Sequence, residues 1–506
     1  MSSLSPNTNR PIDIIAGLLI AFGLLVTSAI SGVFIAYPLA AALCLLVLIL
    51  LNRGFGLKAL FKMGFAGAHQ ALPVVKVLLL IGILTAVWMS AGTVPALVYY
   101  STGLVSGQFF LLWAFVLTGI VSTLIGTSIG AVGTIGVALM VIARGSGQAA
   151  LVAPLAGAII AGAFVGDRCS PMSSSAHLVA SITQTNLYTN LRNMVRSSVG
   201  PLALSVAFYT VLSFLHPVQL TETPITASLP SFFNLSPIVL LPAITIFLLS
   251  LLKVEVKLAM LASIGTAIPI ACALQNNSLA DLFQFSIWGY QLNPQLNLKT
   301  GLVTEPITEQ AVAQGIALQS ILLGGGLLPM LKATIAVFIS TAFAGILIRS
   351  QSLQFLNRWL GANGAATPSE YRKQTQLAQT TTFVSLITNL FGCTQTIAIV
   401  MTGQIMQPHY HRWNSTKTSA NIADGNEKLA LTIEDTAVVI APLIPWNIAS
   451  LIPATILDVG PGFIPYALYL FLLPLFVLAG IAPKLTHDRR TFFSKATNKV
   501  TPADSH

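Results

Sequence analysis

Runs of about twenty apolar residues recur along the chain, the length an α-helix needs to cross the hydrocarbon core of a bilayer. Inside lipid every backbone N–H and C=O must be bonded within the protein, so runs of that length specify membrane-spanning helices. Composition agrees: 55% of the 506 residues are hydrophobic, 8% are charged and the mean hydropathy is +0.81, whereas a soluble domain carries about 25% charged residues. The fold class expected is an all-α polytopic membrane protein, one integral unit with the lipid bilayer as its surroundings.

The formal net charge of +10 does not point to nucleic acid, because the Lys and Arg residues are scattered through short loops and the C-terminal tail without an aromatic-interleaved basic patch. Their distribution fits orientation by the positive-inside rule. Cys44, Cys169, Cys272 and Cys393 lie in apolar or motif stretches without CxxC or secretory spacing. Neither a disulfide frame nor a zinc site is expected, and no cofactor. Between Met1 and Ile12 only Arg10 is basic, and the full-length apolar run that follows has no clear small-residue cleavage site, so a cleaved leader is not expected.

Loop charges order the spans. Ile14–Ile30 and Val33–Leu51 make a hairpin turned at Ser31-Gly32, and Arg53, Lys58 and Lys62 place the next loop, and with it the N-terminus, in the cytoplasm. Residues 56–72 read as an interfacial amphipathic helix and 74–99 as an outward crossing; Arg144 marks the cytoplasmic side, and 151–190, with bases on both flanks, reads as a re-entrant hairpin or two short arms meeting. The second half repeats this order with directions reversed. It offers a hairpin over 235–274, interfacial segments at 279–290 and 310–329, a crossing over 333–348 and a broken run over 377–401. An external stretch over 404–428, a polar-apolar hairpin over 429–455 and a last crossing over 463–482 follow. The chain thus divides into a first membrane repeat (1–215), an external linker (216–234), a second, inverted repeat (235–482) and a basic cytoplasmic tail (483–506). Two inverted-topology repeats with broken helices and two re-entrant hairpins form a secondary-transporter plan, in which the site lies where interrupted segments meet.

The stretch Gly166-Asp167-Arg168-Cys169-Ser170-Pro171-Met172-Ser173-Ser174-Ser175-Ala176-His177 puts an acid, a base, hydroxyls and a helix breaker inside an apolar region. Ionisable residues are costly at membrane depth and mark ion or substrate paths, and a broken helix frees carbonyls that hold a cation where they line a cavity. Glu434-Asp435-Thr436 followed by Ala441-Pro442-Leu443-Ile444-Pro445-Trp446-Asn447 repeats the order of acid, hydroxyl and breakers. Asp167 and Asp435 are then expected to approach the midplane from opposite sides. Ser170, Ser173, Ser174, Thr436 and Asn447 would complete an oxygen shell for a hard cation such as sodium, and a carboxylate there takes Na+ when ionised or a proton when neutral. Two further breaks offer ligands: Thr127, Ser128 and Thr134 in the glycine-rich stretch 126–134, and Asn389, Thr394, Gln395 and Thr396 in 389–396. Arg168, His177 and Glu434 are candidate modulators. Plainer readings stand beside these: close helix packing or a hinge at 126–134, a structural Asp167–Arg168 pair, and a packing His177. Glu434 at the external interface, an interfacial Trp446 and a solvated His409/His411 pair in an external loop belong with them.

Taken together, Gly166-Asp167-Arg168 with Ser170-Pro171-Met172-Ser173, and Glu434-Asp435-Thr436 with Pro442-Leu443-Ile444-Pro445-Trp446-Asn447, resemble the motifs of the NhaC family of Na+/H+ antiporters, in the same order over nearly the whole chain. The resemblance implies a secondary antiporter of the ion-transporter superfamily that exchanges Na+ for H+ across the cell membrane by alternating access. It also implies a wider choice of substrates, since the family includes exchangers of organic acids such as malate and lactate. After its Ser-Pro-x-Ser the family commonly carries an aspartate, then threonines, then an asparagine, where this chain has Ser174, Ser175, Ala176 and His177. Asp167 is therefore the sole acid of its motif. The competing transporter reading is an organic acid or amino acid exchanger or symporter, with Arg168 or Arg192 receiving the carboxylate. A selective channel and an intramembrane hydrolase built on Asp167, Ser170 and His177 are weaker: inverted repeats favour alternating access, and Phe164-Val165-Gly166 lacks the Gly-x-Gly of membrane aspartyl proteases while no oxyanion hole is evident. The chain is read as a transporter and not an enzyme, with a homodimer as the one protein partner considered.

Overall fold

The computed structural model describes residues 12–69, 71–104, 107–145, 148–217, 229–230, 232–252, 254–290, 325–352, 370–415 and 422–481. Among the described residues the apolar runs fold as helices and no β-strand forms. Helices α1 (Ile12–Ser31) and α2 (Ala36–Asn52) pack as the expected hairpin. Helix α3 (Leu57–His69) is amphipathic, burying Leu60, Gly64 and Gly67 while Phe61 and Phe65 stay exposed. The segment 74–99, expected as an outward crossing, is two helices, α4 (Leu72–Ser90) and α5 (Thr93–Leu104), because Gly92 takes a left-handed conformation between them (φ +77°). Buried Thr93 then ties the restart to the Val239 carbonyl at 2.7 Å.

Helix α6 (Phe110–Ile125) stops at Gly126, whose φ of +78° a side chain would strain. After extended Thr127 the chain resumes as α7 (Ser128–Ala131), a π-helical turn (Val132–Gly136) and α8 (Val137–Gly145). Helix α9 (Ala149–Cys169), α10 (Ser174–Thr183) and α11 (Leu187–Leu215) follow. Contacts fix their directions. Gly162 stands against Phe115 and Gly166 against Ser122, where only glycine permits the approach, and Ser122 donates to the Ala163 carbonyl, so α6 and α9 run parallel. Ser128 meets Asp167 and Gly136 meets Ile159, so α7–α8 runs back along them. The pair α6/α7–α8 is thus a helical hairpin with Gly126-Thr127 at its tip. Helix α11 runs antiparallel to both α9 and α10, with Tyr209 on the Gly157 carbonyl, Arg168 on the Met194 carbonyl, and Ala176 packed with Leu191 and Met194.

Of the two forms expected for 151–190, the helices make two arms, α9 and α10, that meet at Ser170–Ser173 and both run antiparallel to α11, while the tight reversal in this part of the chain lies at Gly126-Thr127. Arg144, read as a cytoplasmic marker, lies at the open end of the hairpin on the face where α11 ends, since the Leu112 N–H reaches Ser213 Oγ (3.2 Å) near the start of α6. Its guanidinium is engaged by the carbonyls of Leu457 (2.9 Å) and Asp458 (2.7 Å) and by the Asp458 carboxylate (3.3 Å). A base near a helix C-terminus bonds the last free carbonyls there, which gives Arg144 a local role at the end of α19.

The second half contains α12 (Leu241–Leu251), α13 (Val256–Leu274), α14 (Leu279–Trp288), α15 (Leu327–Arg349), α16 (Glu370–Gly392) and α17 (Gln395–Ser415). Then come α18 (Ile422–Ile440), a 3-10 turn (Ala441–Leu443), α19 (Ile448–Ile456) and α20 (Leu468–Leu478). The interfacial segment at 279–290 is α14, started by a Ser278/Asp281 capping box; residues 310–324 of the other lie outside the described residues. Thr388 meets Thr402 (2.8 Å) and Thr381 meets Tyr410 (3.3 Å), so α16 and α17 form a second helical hairpin, its tip at Cys393 (φ +55°). The stretch read as external from Gln404 is helical through Ser415, with Tyr410 buried. Asn389 and Ser385 hold the Ala437 carbonyl and Thr436, which sets α18 parallel to α16. Beyond the prolines, α18 and α19 bend by 51°. This second broken crossing is antiparallel to the first, for Asp435 meets Arg168 while Phe463 and Tyr466, past α19, meet Gly157. The two hairpins therefore open to opposite faces. Five helical segments among the described residues are long and apolar enough to span a bilayer: Ile12–Ser31, Ala149–Cys169, Leu187–Leu215, Lys257–Leu274 and Met330–Arg349. The chain is a multi-pass membrane protein.

Candidate functional site

Four interruptions of helix meet at one place: the tips of the two hairpins and the breaks of the two crossings. Gly126 of the first tip lies on Met172 of the first break. At the second tip the Cys393 carbonyl accepts the Ile448 N–H (2.9 Å), and the Leu390 carbonyl accepts the Trp446 indole (2.8 Å). Trp446 is thus a buried tie between tip and break, and not an interfacial belt residue.

Asp167 occupies the last turn of α9 and is 5% exposed. Its carboxylate accepts the Ser128 N–H from one tip (3.4 Å) and the Gln395 side-chain amide from the other (3.1 Å). Both donors are neutral. The Asp167 carbonyl, orphaned where α9 ends, accepts from the hydroxyls of Ser173 and Ser175, the latter at 2.8 Å. Ser173 also caps α10 by accepting the Ala176 N–H (3.3 Å), and Ser170 Oγ steadies the turn by accepting the Met172 N–H (3.2 Å). Ser174 is exposed, so Ser175 is the inward hydroxyl. His177 is exposed too, its ring resting on the Pro171 carbonyl at 3.0 Å.

Arg168, one residue on, is wholly buried and points away from Asp167. It pairs with Asp435 and donates to Ser197 (2.6 Å), Ser198, Tyr469 (3.3 Å) and the Met194 carbonyl (3.2 Å); Asp435 also accepts from Ser197 (3.1 Å). The structural pair is Arg168–Asp435, joining α9, α11, α18 and α20, and not the adjacent Asp167–Arg168. Glu434 is wholly buried as well, and not at an interface.

The other candidates separate by role. Asn447 caps α19 by accepting the Ala449 N–H (3.0 Å) and reaches the Asn389 carbonyl and side-chain oxygen (both 3.3 Å). Thr394 accepts the Ile397 N–H at the start of α17 (3.2 Å), and the Gln395 amide also reaches the Val438 carbonyl (3.3 Å). Thr127 stands in the extended residue of the first tip. Thr436 lies against Ser385 (2.9 Å), Thr134 bonds back to Gly130 (2.8 Å), and Thr396 is exposed, so these three are not brought to Asp167. Ser175 belongs to the motif without being among its candidate ligands, and Ser197, Ser198 and Tyr469 are not singled out by the sequence. For Ser197-Ser198 there was a signal: adjacent hydroxyls in an apolar stretch 29 and 30 positions from Arg168. Tyr469 carried none.

The model of the Na+/H+ antiporter family matches residues 162–481, from within α9 through its break, the second hairpin and the second broken crossing. The Na(+)/H(+) antiporter NhaC of Alkalihalophilus pseudofirmus is 28% identical over 405 residues, 79% of each chain. A malate-2H(+)/Na(+)-lactate antiporter of Bacillus subtilis is 25% identical over 89% of this chain and 90% of its own length. The arginine/ornithine antiporter ArcD of Halobacterium salinarum is 27% identical over 79% of this chain and 77% of its own. With more than half of its length matched by the family model, the chain belongs to the Na+/H+ antiporter family.

Proposed function

We propose that this protein exchanges Na+ for H+ across the cell membrane by alternating access, with Asp167 as the carboxylate that the two ions share. The observation that carries this is the setting of Asp167: a buried acid at the meeting of both tips, held among the described residues by neutral donors alone. A carboxylate without a cationic partner is the group in such a site able to take either Na+ or a proton, and taking one excludes the other, which is the requirement for antiport. Turning the Gln395 amide would present its oxygen to the ion in place of its N–H, and the hydroxyls of Thr127 and Ser128 stand at the facing tip. Ser170 and Ser173 hold the break, Asn447 and Asn389 hold the other, and Asp435 balances Arg168. The name of one relative favours organic acids as a second reading. Against that, the Arg168 guanidinium is buried and committed to protein partners, and Arg192 is exposed on α11, so neither base stands ready for a carboxylate at Asp167.

In this reading the halves are inverted repeats, supported by the reciprocal packing of α3 on α15 and α14 on α4, and by hairpins that open to opposite faces. The hairpins are re-entrant, both chain ends are cytoplasmic, and the start of α11, with Arg192 and Arg196, faces the cytoplasm. On a cysteine-free background, Tyr188→Cys is expected to react with an impermeant maleimide from the cytoplasmic side and Asn276→Cys from outside; the reverse pattern rejects the orientation. Transport is tested in inverted vesicles carrying a pH reporter, challenged in turn with Na+, Li+, K+ and small carboxylates. A response to carboxylates alone rejects the cation reading. Gln395→Ala is expected to weaken apparent Na+ affinity by about tenfold, the effect of losing one polar ligand contact of ~1.4 kcal/mol. An unchanged Na+ dependence would remove the second tip from the site.

A further inference from the structure

Glu434 precedes Asp435 on α18, is wholly buried, and has no hydrogen-bond partner for either carboxyl oxygen among the described residues. Helix geometry gives its surroundings, since residues three and four apart share a face. Leu431 packs with Ala176 and Met194, and the Val438 carbonyl takes the Gln395 amide, so Glu434 lies between the break that starts α10 and the tip that holds Asp167. The ionisable groups acting on it are Asp167, Arg168 and Cys169 of α9 and its neighbour Asp435. Tyr469 of α20 is engaged with Arg168 and Ser198, Tyr410 of α17 with Thr381, and His177, Arg192 and Arg196 are exposed. Both terminal nitrogens of Arg168 are committed to Asp435, serines, Tyr469 and a carbonyl, its Nε has no hydrogen-bond partner among the described residues, and no hydrogen bond joins the guanidinium to Glu434.

An ionised carboxylate in that position has lost its water and gained no donor, which is the least favourable state for a buried acid. The neutral acid supplies its own O–H and needs only an acceptor. Charge balance leads to the same place. One guanidinium serves three carboxyls; Asp435 holds it, Asp167 waits at the tips for a cation, and Glu434 is left over.

We infer that Glu434 is a second proton-carrying acid of the exchange site, protonated in the arrangement described and separate from the cation-binding carboxylate Asp167. The inference rests on the Na+/H+ reading above and extends it. Each turnover would carry the proton displaced from Asp167 by Na+ and, in addition, the proton that Glu434 releases when the site opens to water. A neutral Glu434→Gln side chain fits the same space and carries no proton, so the two roles separate.

The test uses the full chain reconstituted in liposomes, with Na+ and H+ fluxes measured together, and infrared difference spectra of the purified protein recorded between acid and alkaline pH. For Glu434→Gln the expected result is retained Na+ binding, an H+:Na+ ratio lower by one proton, and loss of one titrating carboxylic-acid carbonyl band. Glu434→Asp is expected to restore the ratio and return the band at a shifted frequency. An unchanged ratio and spectrum in Glu434→Gln would make Glu434 a permanently neutral structural acid, and lost Na+ binding would make it a cation ligand; either overturns the inference. Should Glu434→Gln fail to assemble, Glu434→Asp decides, because a spectrum identical to wild type shows that this acid does not titrate. Absence of Na+ exchange by the wild-type protein would overturn the functional reading alone, since the titrating band and its assignment to Glu434 are read without transport.

Discussion

Asp167→Asn is expected to abolish Na+-driven proton movement in inverted vesicles while the protein is still made and inserted. The amide has the shape of the acid, and its oxygen still accepts the Ser128 N–H that now lies 3.4 Å from the carboxylate. The α9 terminus, its serine caps and the Arg168–Asp435 pair are left untouched. What disappears is ionisation, and with it both the charge that holds Na+ and the oxygen that takes a proton. Because one group serves both ions, loss of exchange is expected to be complete at every pH, unlike the partial loss expected for a ligand such as Gln395. Exchange at wild-type rates in Asp167→Asn would return Asp167 to a structural role and move the cation elsewhere in the cluster. Expression, melting behaviour and exchange measured on the same preparation separate lost chemistry from lost fold.

Much of this site was legible in the sequence because the cost of a helix break inside lipid leaves a mark. Gly126, Pro171, Cys393 with its neighbours and the Pro442–Pro445 pair all interrupt apolar runs, and all four interruptions meet around Asp167. The spacing of apolar residues gave the helices for the same reason. Direction was harder to read. A short hairpin and a broken crossing have the same apolar length and the same polar break, so 110–145 and 149–183 differ only in what packs on them, which is long-range information. Loop charges do not all mark one face, for Arg144 stands toward the opposite end of α11 from Arg192 and Arg196 and answers the local demand of the α19 terminus. At the level of single side chains, one residue is a rotation of about 100° around a helix. That rotation sends Asp167 to the tips and Arg168 to α11, and turns Ser175 inward where Ser174 faces out. No run of letters fixes which of two adjacent polar residues takes the inner position.

The Arg168–Asp435 pair gives the second large effect, and it is one of stability. Removing one partner leaves a buried charge without compensation, so Asp435→Asn or Arg168→Met alone is expected to cost ~3–5 kcal/mol in denaturant unfolding of the purified protein. Removing both should cost far less, because the groups around the guanidinium have other partners already in place. Ser198 meets Tyr469 at 3.0 Å and Ser197 reaches the Met194 carbonyl at 3.1 Å, so an apolar pair of similar volume strands no hydroxyl. Arg168→Met with Asp435→Leu is therefore expected to recover most of the loss, a strongly non-additive result for residues in direct contact. Transport in the same double variant separates scaffold from site. If the pair only ties α9, α11, α18 and α20 together, Na+-driven exchange returns with stability. A double variant that is stable but silent would place Asp435 among the groups the transported ions touch, and a double variant no more stable than the singles would mean that the hydroxyls depend on the guanidinium they surround.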